Sequence, residues 1–488
     1  MLTSNRAIVD DKLVPATLII SQISGKIVEV LNGVQPASAF PPGTQYHEYG
    51  SKILMPGLVD THVHLNEPGR TEWEGFWHGT RAAAFGGVTT VIDMPLNAIP
   101  PTTNLSNFQE KINAANGQCW VDVGFHGGII PGNAEDLKPL VQAGVRGFKG
   151  FLMDSGVDEF PPVSAEDIAM AFAELADQPT TVMFHAELEP APANTSSMEQ
   201  PTWEPDGPPE EYQTYLDTRP QLFEVTAIRE IISLAHLAPN LPLHIVHLSA
   251  TDAIPLLRAA RDRGVKITAE TCFHYLSLAA EEIENGDTRF KCAPPIREQE
   301  NQDALWEEML RPEGVIDMVV SDHSPCTPKL KLLPSDVPGA NLTKASRNAE
   351  PKGDFLEAWG GVSSVGLGLP ILWTEAMARG MGVNETLLLI ARLCAEKTAL
   401  QVGLEKSKGA LRAGFDADVA VFDDEASFVL TRNDLLFRNK FSAYQGNTFE
   451  GVVRETWVRG QKVHSSEKGF GDNARPVGNL LLEPRTGR

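Results

Sequence analysis

The sequence predicts an α/β fold: a (β/α)8 TIM-like barrel with a small β-sandwich domain formed from both chain ends. Three observations predict it. Eight short, apolar, β-rich runs alternate with helical patterns through the middle of the chain, the rhythm of a parallel barrel. The first ~50 residues and the far C-terminus instead alternate apolar and polar residues between Gly, Pro and Asp, as antiparallel strands do. Neither end carries a long helical pattern, and chain ends that lie close together can pair into one domain.

Taken in order, AIVDDKLVPATLII, GKIVEVL and HEYGSKILM read as strands of the first β segment, residues 1–54. The barrel, residues 55–400, opens with GLVDTHVH (57–64) and continues with VTTVIDM (88–94), WVDVGFHGG (120–128) and VRGFKGFL (145–152). TTVMFHAE (180–187), LHIVHLS (243–249), VKITAETC (265–272) and VIDMVVSDH (315–323) complete the eight. Between them lie helical stretches such as EWEGFWHGTRAAAF, AEDIAMAFAELA, LFEVTAIREIISLAHLA and ENQDALWEEMLR. DADVAVFD and FEGVVRETWVRGQKVHS return to strand patterning in residues 401–488, the second β segment and tail. A doubly wound open sheet is the rival arrangement. No G-x-G-x-x-G follows the first strand, which lowers its nucleotide-binding version.

Composition narrows the function classes. With 41 Lys+Arg against 64 Asp+Glu in 488 residues, the net charge is −23, which argues against nucleic acid or an anionic membrane as partner. The 42% hydrophobic content suits a large core. The five cysteines, Cys119, Cys272, Cys292, Cys326 and Cys394, form no C-x-x-C and are odd in number. They favour a reducing compartment over a disulfide framework. No apolar run approaches the ~18 residues of a membrane helix, and the N-terminus reads as strands rather than a signal peptide. A soluble cytoplasmic protein is the expectation.

The chemistry sits at strand ends. His62 and His64 end the first barrel strand, and residues i and i+2 of a strand point to one side, about 7 Å apart. H-x-H alone is a weak metal signal. Recurrence strengthens it: His185 ends the fifth strand, His247 the sixth and Asp322 the eighth. Barrel active sites lie at those C-terminal ends, and packing alone does not call for four histidines and a carboxylate there. His247 is nearer its strand end than His244, which reads as a supporting histidine; His323 fits either role. Lys149, in an apolar strand between Gly147 and Gly150, is a snorkelling or Asp154-paired lysine on one reading. On the other it is a lysine carbamylated by CO₂, an anionic bridge between two metals.

PGLVDTHVH, GFKGFL, FHAE, VHLS, ETCFHYL, KCAPPIR, SDHSP and GALRAGFDADVAVFD resemble, in order, the motifs of the amidohydrolase superfamily. The branch is that of the cyclic amidases: dihydroorotases, hydantoinases and dihydropyrimidinases, and allantoinases. The resemblance covers essentially the whole chain. Segments 65–104 (LNEPGRTEWEG…), 151–163 (FLMDSGVDEFPPV) and 358–370 (AWGGVSSVGLGLP) are similar to allantoinases and not to their sisters. Where dihydroorotases usually place an arginine after H-x-H-L, this chain has Asn66, which removes a cationic partner for a ring carboxylate; Arg70 lies nearby in the PGR motif. Phe273 replaces the family's proline in ETCFHYL. All six expected ligand positions are filled, unlike in the non-catalytic scaffold relatives.

The resemblance implies that His62 and His64 bind one metal and His185 and His247 a second, more exposed one. Carbamylated Lys149 would bridge them and Asp322 would complete the first site. Such ligands suit Zn²⁺, with Co²⁺, Mn²⁺ or Fe²⁺ as alternatives. It implies hydrolysis of a ring amide with Asp322 as base and then acid, and a homotetramer. A hydantoinase or dihydropyrimidinase is the alternative on the same scaffold. Candidates for ring recognition are Asn97, at the end of strand two, and backbone groups near Ala293 and Trp359–Ser363, which include Gly360 and Gly361. The stretch 187–217 carries eight acids and no Lys or Arg. It reads as a solvated loop or as a lid over the barrel mouth; the loop from Ser324 to Lys352 invites the same question.

Overall fold

The chain opens with a hairpin. β1 (Leu2–Val9) and β2 (Lys12–Ile20) pair antiparallel through the two-residue turn Asp10–Asp11. Both aspartates have positive φ, 45° and 57°, the conformation that matches the twist of a tight hairpin and that Asp tolerates. β3 (Ile27–Asn32), β4 (His47–Glu48) and β5 (Ile53–Pro56) follow. The structure, a computed structural model, describes residues 1–191, 203–333, 353–471 and 474–486.

Eight parallel strands come next. They are β6 (Leu58–Val63), β7 (Val88–Asp93), β8 (Asp122–Phe125) with its continuation β9 (Gly127–Gly128), β10 (Phe148–Phe151), β11 (Val182–His185), β12 (Leu243–Ile245), β13 (Ile267–Cys272) and β14 (Ile316–Val320). β6-β7-β8 form one ladder and β9 to β14 another. His126 joins them, since its N–H donates to Asp93 O at 2.9 Å and that of Gly127 to Gly147 O at 2.8 Å. The ring closes where Val63 pairs with His323 and the His64 N–H donates to His323 O at 2.8 Å. This closed barrel, rather than the open sheet, explains why the runs are apolar throughout: almost every strand residue is buried, one face against the barrel interior and the other against helices.

β15 (Val419–Val429), β16 (Thr448–Val458) and β17 (Gln461–Ser465) bring the C-terminal part back to the N-terminal strands. β15 pairs antiparallel with β5, and β5 pairs parallel with β1. The order β17-β16-β15-β5-β1-β2-β3, with β4 on β1, joins both ends in one mixed sheet. Leu18, Leu54, Val419, Val421 and Trp457 share its core, and bulges in β1 and β15 bend the strands around it. The helix expected from EWEGFWHGTRAAAF begins only at Phe76. Gly75 stands at φ 86° and Glu67 Oε2 accepts the Phe76 N–H at 2.9 Å, so Trp73 and Glu74 stay in the preceding loop. The C-terminal tail leaves the sheet and pairs with β8: Val123 accepts from Leu481 N–H at 2.8 Å, and Arg485 donates to Arg146 O at 2.6 Å. It therefore covers strand starts, the face opposite the histidines. Among the described residues no helix is long and apolar enough to cross a membrane.

Candidate metal centre

His62 lies in β6, Lys149 in β10 and His185 at the end of β11, while His64, His247 and Asp322 come one or two residues past their strands. All six are buried, and the structure brings all six together. Lys149 Nζ is 3.0 Å from His62 Nε2. Asp322 Oδ1 is 3.2 Å from His62 Nε2 and 3.5 Å from His64 Nε2. His185 Nδ1 faces His247 Nε2 at 3.0 Å. Ligand atoms of His62, His247 and Asp322 lie within 4.8 Å of one another. His247 and Asp322 reach this point with φ of 40° and 41°. Such left-handed backbone costs on the order of 1–3 kcal/mol per residue and gathers at functional sites.

The far sides of three rings are held. His62 Nδ1 contacts Glu270 Oε1 at 2.5 Å, His185 Nε2 contacts Glu187 Oε2 at 2.7 Å, and the Asn97 carboxamide lies 3.3 Å from His64 Nδ1. A carboxylate on one imidazole nitrogen fixes the proton there and leaves the other lone pair for a metal. Burial pushes the Glu270 and Glu187 carboxyls up, but the histidines beside Glu270, and Arg219 and His185 beside Glu187, outweigh it and hold both at about 2. Burial lowers His64 to about 3, so its ring is neutral, the form that ligates metal. Burial also lowers Lys149 to about 8, against the pull of Asp322 and Glu270. Asp322 is buried too, yet His62, His64 and His247 keep its carboxyl well below the ordinary range. Buried, oriented imidazoles around an ionised carboxylate fit a site for divalent metal.

The neighbouring histidines separate clearly. His244 faces Thr268 Oγ1 at 2.8 Å and Glu270 Oε2 at 3.0 Å, behind the centre. His323 Nδ1 accepts from the N–H groups of Ser364 and Val365 at 3.0 and 3.3 Å, which pins the loop after β14. Another acidic group, Asp122, Asp416 and Asp418, encloses Lys408 Nζ at 2.7–3.1 Å; it is an ion-pair cluster tying β8 to the β domain. Sequence pattern alone does not single out Glu270 and Glu187. They lie inside ETCFHYL and FHAE, and the available signal is a carboxylate near the end of a barrel strand, for Glu187 two residues after His185.

A cleft of about 510 Å³ opens from His185, walled by Phe151, Tyr215, Arg219, Lys291 and Trp359. Ala293 and Gly360 line it. Gly361 does not: its N–H donates to Lys291 O at 2.8 Å, and a Cβ there would fall 2.2 Å from Ser324 O, so it serves close backbone packing. Asn97 is turned toward His64, which places its carboxamide behind a ring rather than in the cleft. The Phe151 and His185 rings stack at 4.6 Å. Residues 192–202 of the acidic stretch and 334–352 of the second loop lie outside the described residues.

The three segments singled out by resemblance meet at this mouth. Arg70 of the PGR motif pairs with Glu159 of the second segment and donates to Asn97 O at 2.9 Å. Trp73 meets Trp359 of the third edge-to-face at 4.7 Å.

Comparison with known proteins agrees with this geometry. The amidohydrolase family model matches residues 53–463. An allantoinase of Saccharomyces cerevisiae is 47% identical over 99% of both chains. One of Streptomyces avermitilis is 43% identical over 99% of this chain and 98% of its own. Among solved structures, the L-hydantoinase (dihydropyrimidinase) from Arthrobacter aurescens superposes with a TM-score of 0.82 at 26% identity, covering 98% of this chain and 99% of the other. With the barrel, the sheet built from both ends and the buried histidine centre in place, the chain belongs to the amidohydrolase family.

Proposed function

We propose that this chain is an allantoinase, hydrolysing the ring amide of allantoin to allantoate. One observation carries the hydrolytic part. Donor atoms of His62, His64, Lys149, His185, His247 and Asp322 converge at the C-terminal ends of barrel strands, three rings held from behind. The substrate assignment rests on the relatives of 43–47% identity named allantoinase.

These six residues would hold a pair of divalent metals, with Zn²⁺ best suited to imidazole and carboxylate donors. Bound there, such a pair polarises a carbonyl and lowers the pKa of water. Lys149 is the residue that must change sign. Its lowered pKa supplies neutral amine, the form that attacks CO₂, and a carbamate would turn a repelling ammonium into an anionic ligand. Asp322, ionised and beside both His62 and His64, accepts the proton of the attacking water and returns it to the leaving ring nitrogen, so one carboxylate serves as base and then acid. Phe151, stacked on His185, gives the cleft an apolar wall against bulk water. The five cysteines are free and buried, which supports placement in a reducing cytoplasm.

The test is a paired-substrate assay. Protein reconstituted with Zn²⁺ or Co²⁺ and bicarbonate is offered allantoin, hydantoin, dihydrouracil and dihydroorotate. Allantoin is expected to be the best substrate; no turnover of it by metal-loaded protein refutes the reading, and a preference for dihydrouracil establishes the dihydropyrimidinase alternative.

A further inference from the structure

Lys291 opens the KCAPPIR motif and has no part in the metal centre. It is 8% exposed, and Lys331, beside it, is 1% exposed. Among the described residues neither makes an ion pair with a carboxylate. Lys331 donates to two carbonyls, Lys291 O at 3.1 Å and Trp359 O at 2.9 Å, and so ties two cleft walls together. Among the described residues, Lys291 donates only to Leu356 O, at 2.8 Å, while its Nζ sits 5.0 Å from the Tyr215 ring centroid. An ammonium has three donors, so two have no acceptor among the described residues, beside the cleft that Lys291 shares with His185. Arg219, the other cation of that wall, is committed to Glu187 at 2.6 Å.

A buried ammonium without a direct ion-pair partner is costly to keep. Burial, then Lys331 and Arg219, lower Lys291 to about 7, with Asp354 and Glu357 opposing. A strong acceptor arriving in the cleft would relieve that cost. The proposed substrate brings one. With its ring amide at the histidines, its ureido arm, carried on the ring carbon next to the reacting carbonyl, would extend into the cleft, where the arm's carbonyl oxygen is the acceptor a spare N–H needs. Unsubstituted hydantoin offers nothing there.

We infer that Lys291 is a specificity-determining residue whose ammonium binds the carbonyl of the substrate's ureido arm, an inference that rests on the allantoinase reading. Lys291→Met keeps the aliphatic stem over Tyr215 and the backbone carbonyl that holds Gly361 and Lys331. Wild type, Lys291→Met and Lys291→Gln are assayed on allantoin, hydantoin and a hydantoin with an alkyl arm of equal length, with bound metal measured in each. In Lys291→Met the ratio of kcat/KM for allantoin to that for hydantoin is expected to fall about tenfold or more, mostly through KM, because a site built to hydrogen-bond a group discriminates against its loss. Lys291→Gln, which keeps a donor, is expected to recover part of the ratio. An unchanged ratio, or equal losses on all three substrates, overturns the subsite alone. Wild type that turns over hydantoin but not allantoin overturns the functional reading and the subsite with it.

Discussion

Glu270→Gln is the substitution that most directly probes how the barrel orients its histidines. The Glu270 carboxylate receives His62 at 2.5 Å, His244 at 3.0 Å and the backbone N–H of His247 at 3.4 Å, all without solvent. Glutamine has the same shape but only one acceptor oxygen. Its NH₂ must then face one of the imidazole N–H groups, and the clash is relieved only if that ring changes tautomer. For His62 the change would put a proton on Nε2, the atom that faces Asp322 and Lys149. A hydrogen bond to a charged group contributes about 1.5–3 kcal/mol, and losing such support behind a ligating histidine typically costs 10–100-fold in metal affinity, or about 1.4–2.8 kcal/mol. The expected outcome is Zn²⁺ affinity reduced within that range, measured by chelator competition on apoprotein, with kcat falling as metal is lost. Thermal unfolding of both apoproteins separates a folding defect. Wild-type metal affinity together with a lowered Tm would refute the reasoning and make Glu270 an anchor of β13 only.

Two further outcomes follow from the same centre. Arg219→Met leaves Glu187 buried without its cation, at an expected cost of about 3–5 kcal/mol in urea unfolding at neutral pH. Glu187 has a folded pKa depressed to about 2, so its stabilisation is present above the unfolded value and lost as pH falls toward 2. The difference between wild type and variant should therefore shrink below about pH 4.5, and equal stability at pH 7 contradicts the pairing. Lys149, held at about 8, is about 10% neutral at pH 7 and about 90% at pH 9. At fixed dissolved CO₂, recovery of activity by apoprotein given metal should accelerate severalfold between those values, and a flat profile speaks against carbamylation of this amine.

The barrel is legible because its strands are buried on both faces and read as near-continuous apolar runs, and because the candidate histidines and Asp322 sit where such runs end. The start of the first barrel helix was not. It depends on Gly75 and on Glu67, nine residues before Phe76, and a local pattern does not register that contact. Glu270 is hidden for a related reason: its carboxylate announces no role until β13 stands beside β12 and the closed barrel brings His62 of β6 within its reach. At Asn97 the turn at φ 67° brings the carboxamide nitrogen to His64, 33 residues away, a contact that local pattern does not register.

Sequence by itself determined the order of strands, the residue types able to ligate metal and the acidity of the surface, since these depend on local pattern and composition. Tertiary structure alone decided which nitrogen of each histidine faces inward, that His323 stands outside the centre, and that three distant segments meet through Arg70–Glu159 and Trp73–Trp359. Apart from the His185–Glu187 contact, those choices depend on hydrogen bonds, ion pairs and ring contacts between residues tens to hundreds of positions apart, which exist only once the barrel has closed and excluded water.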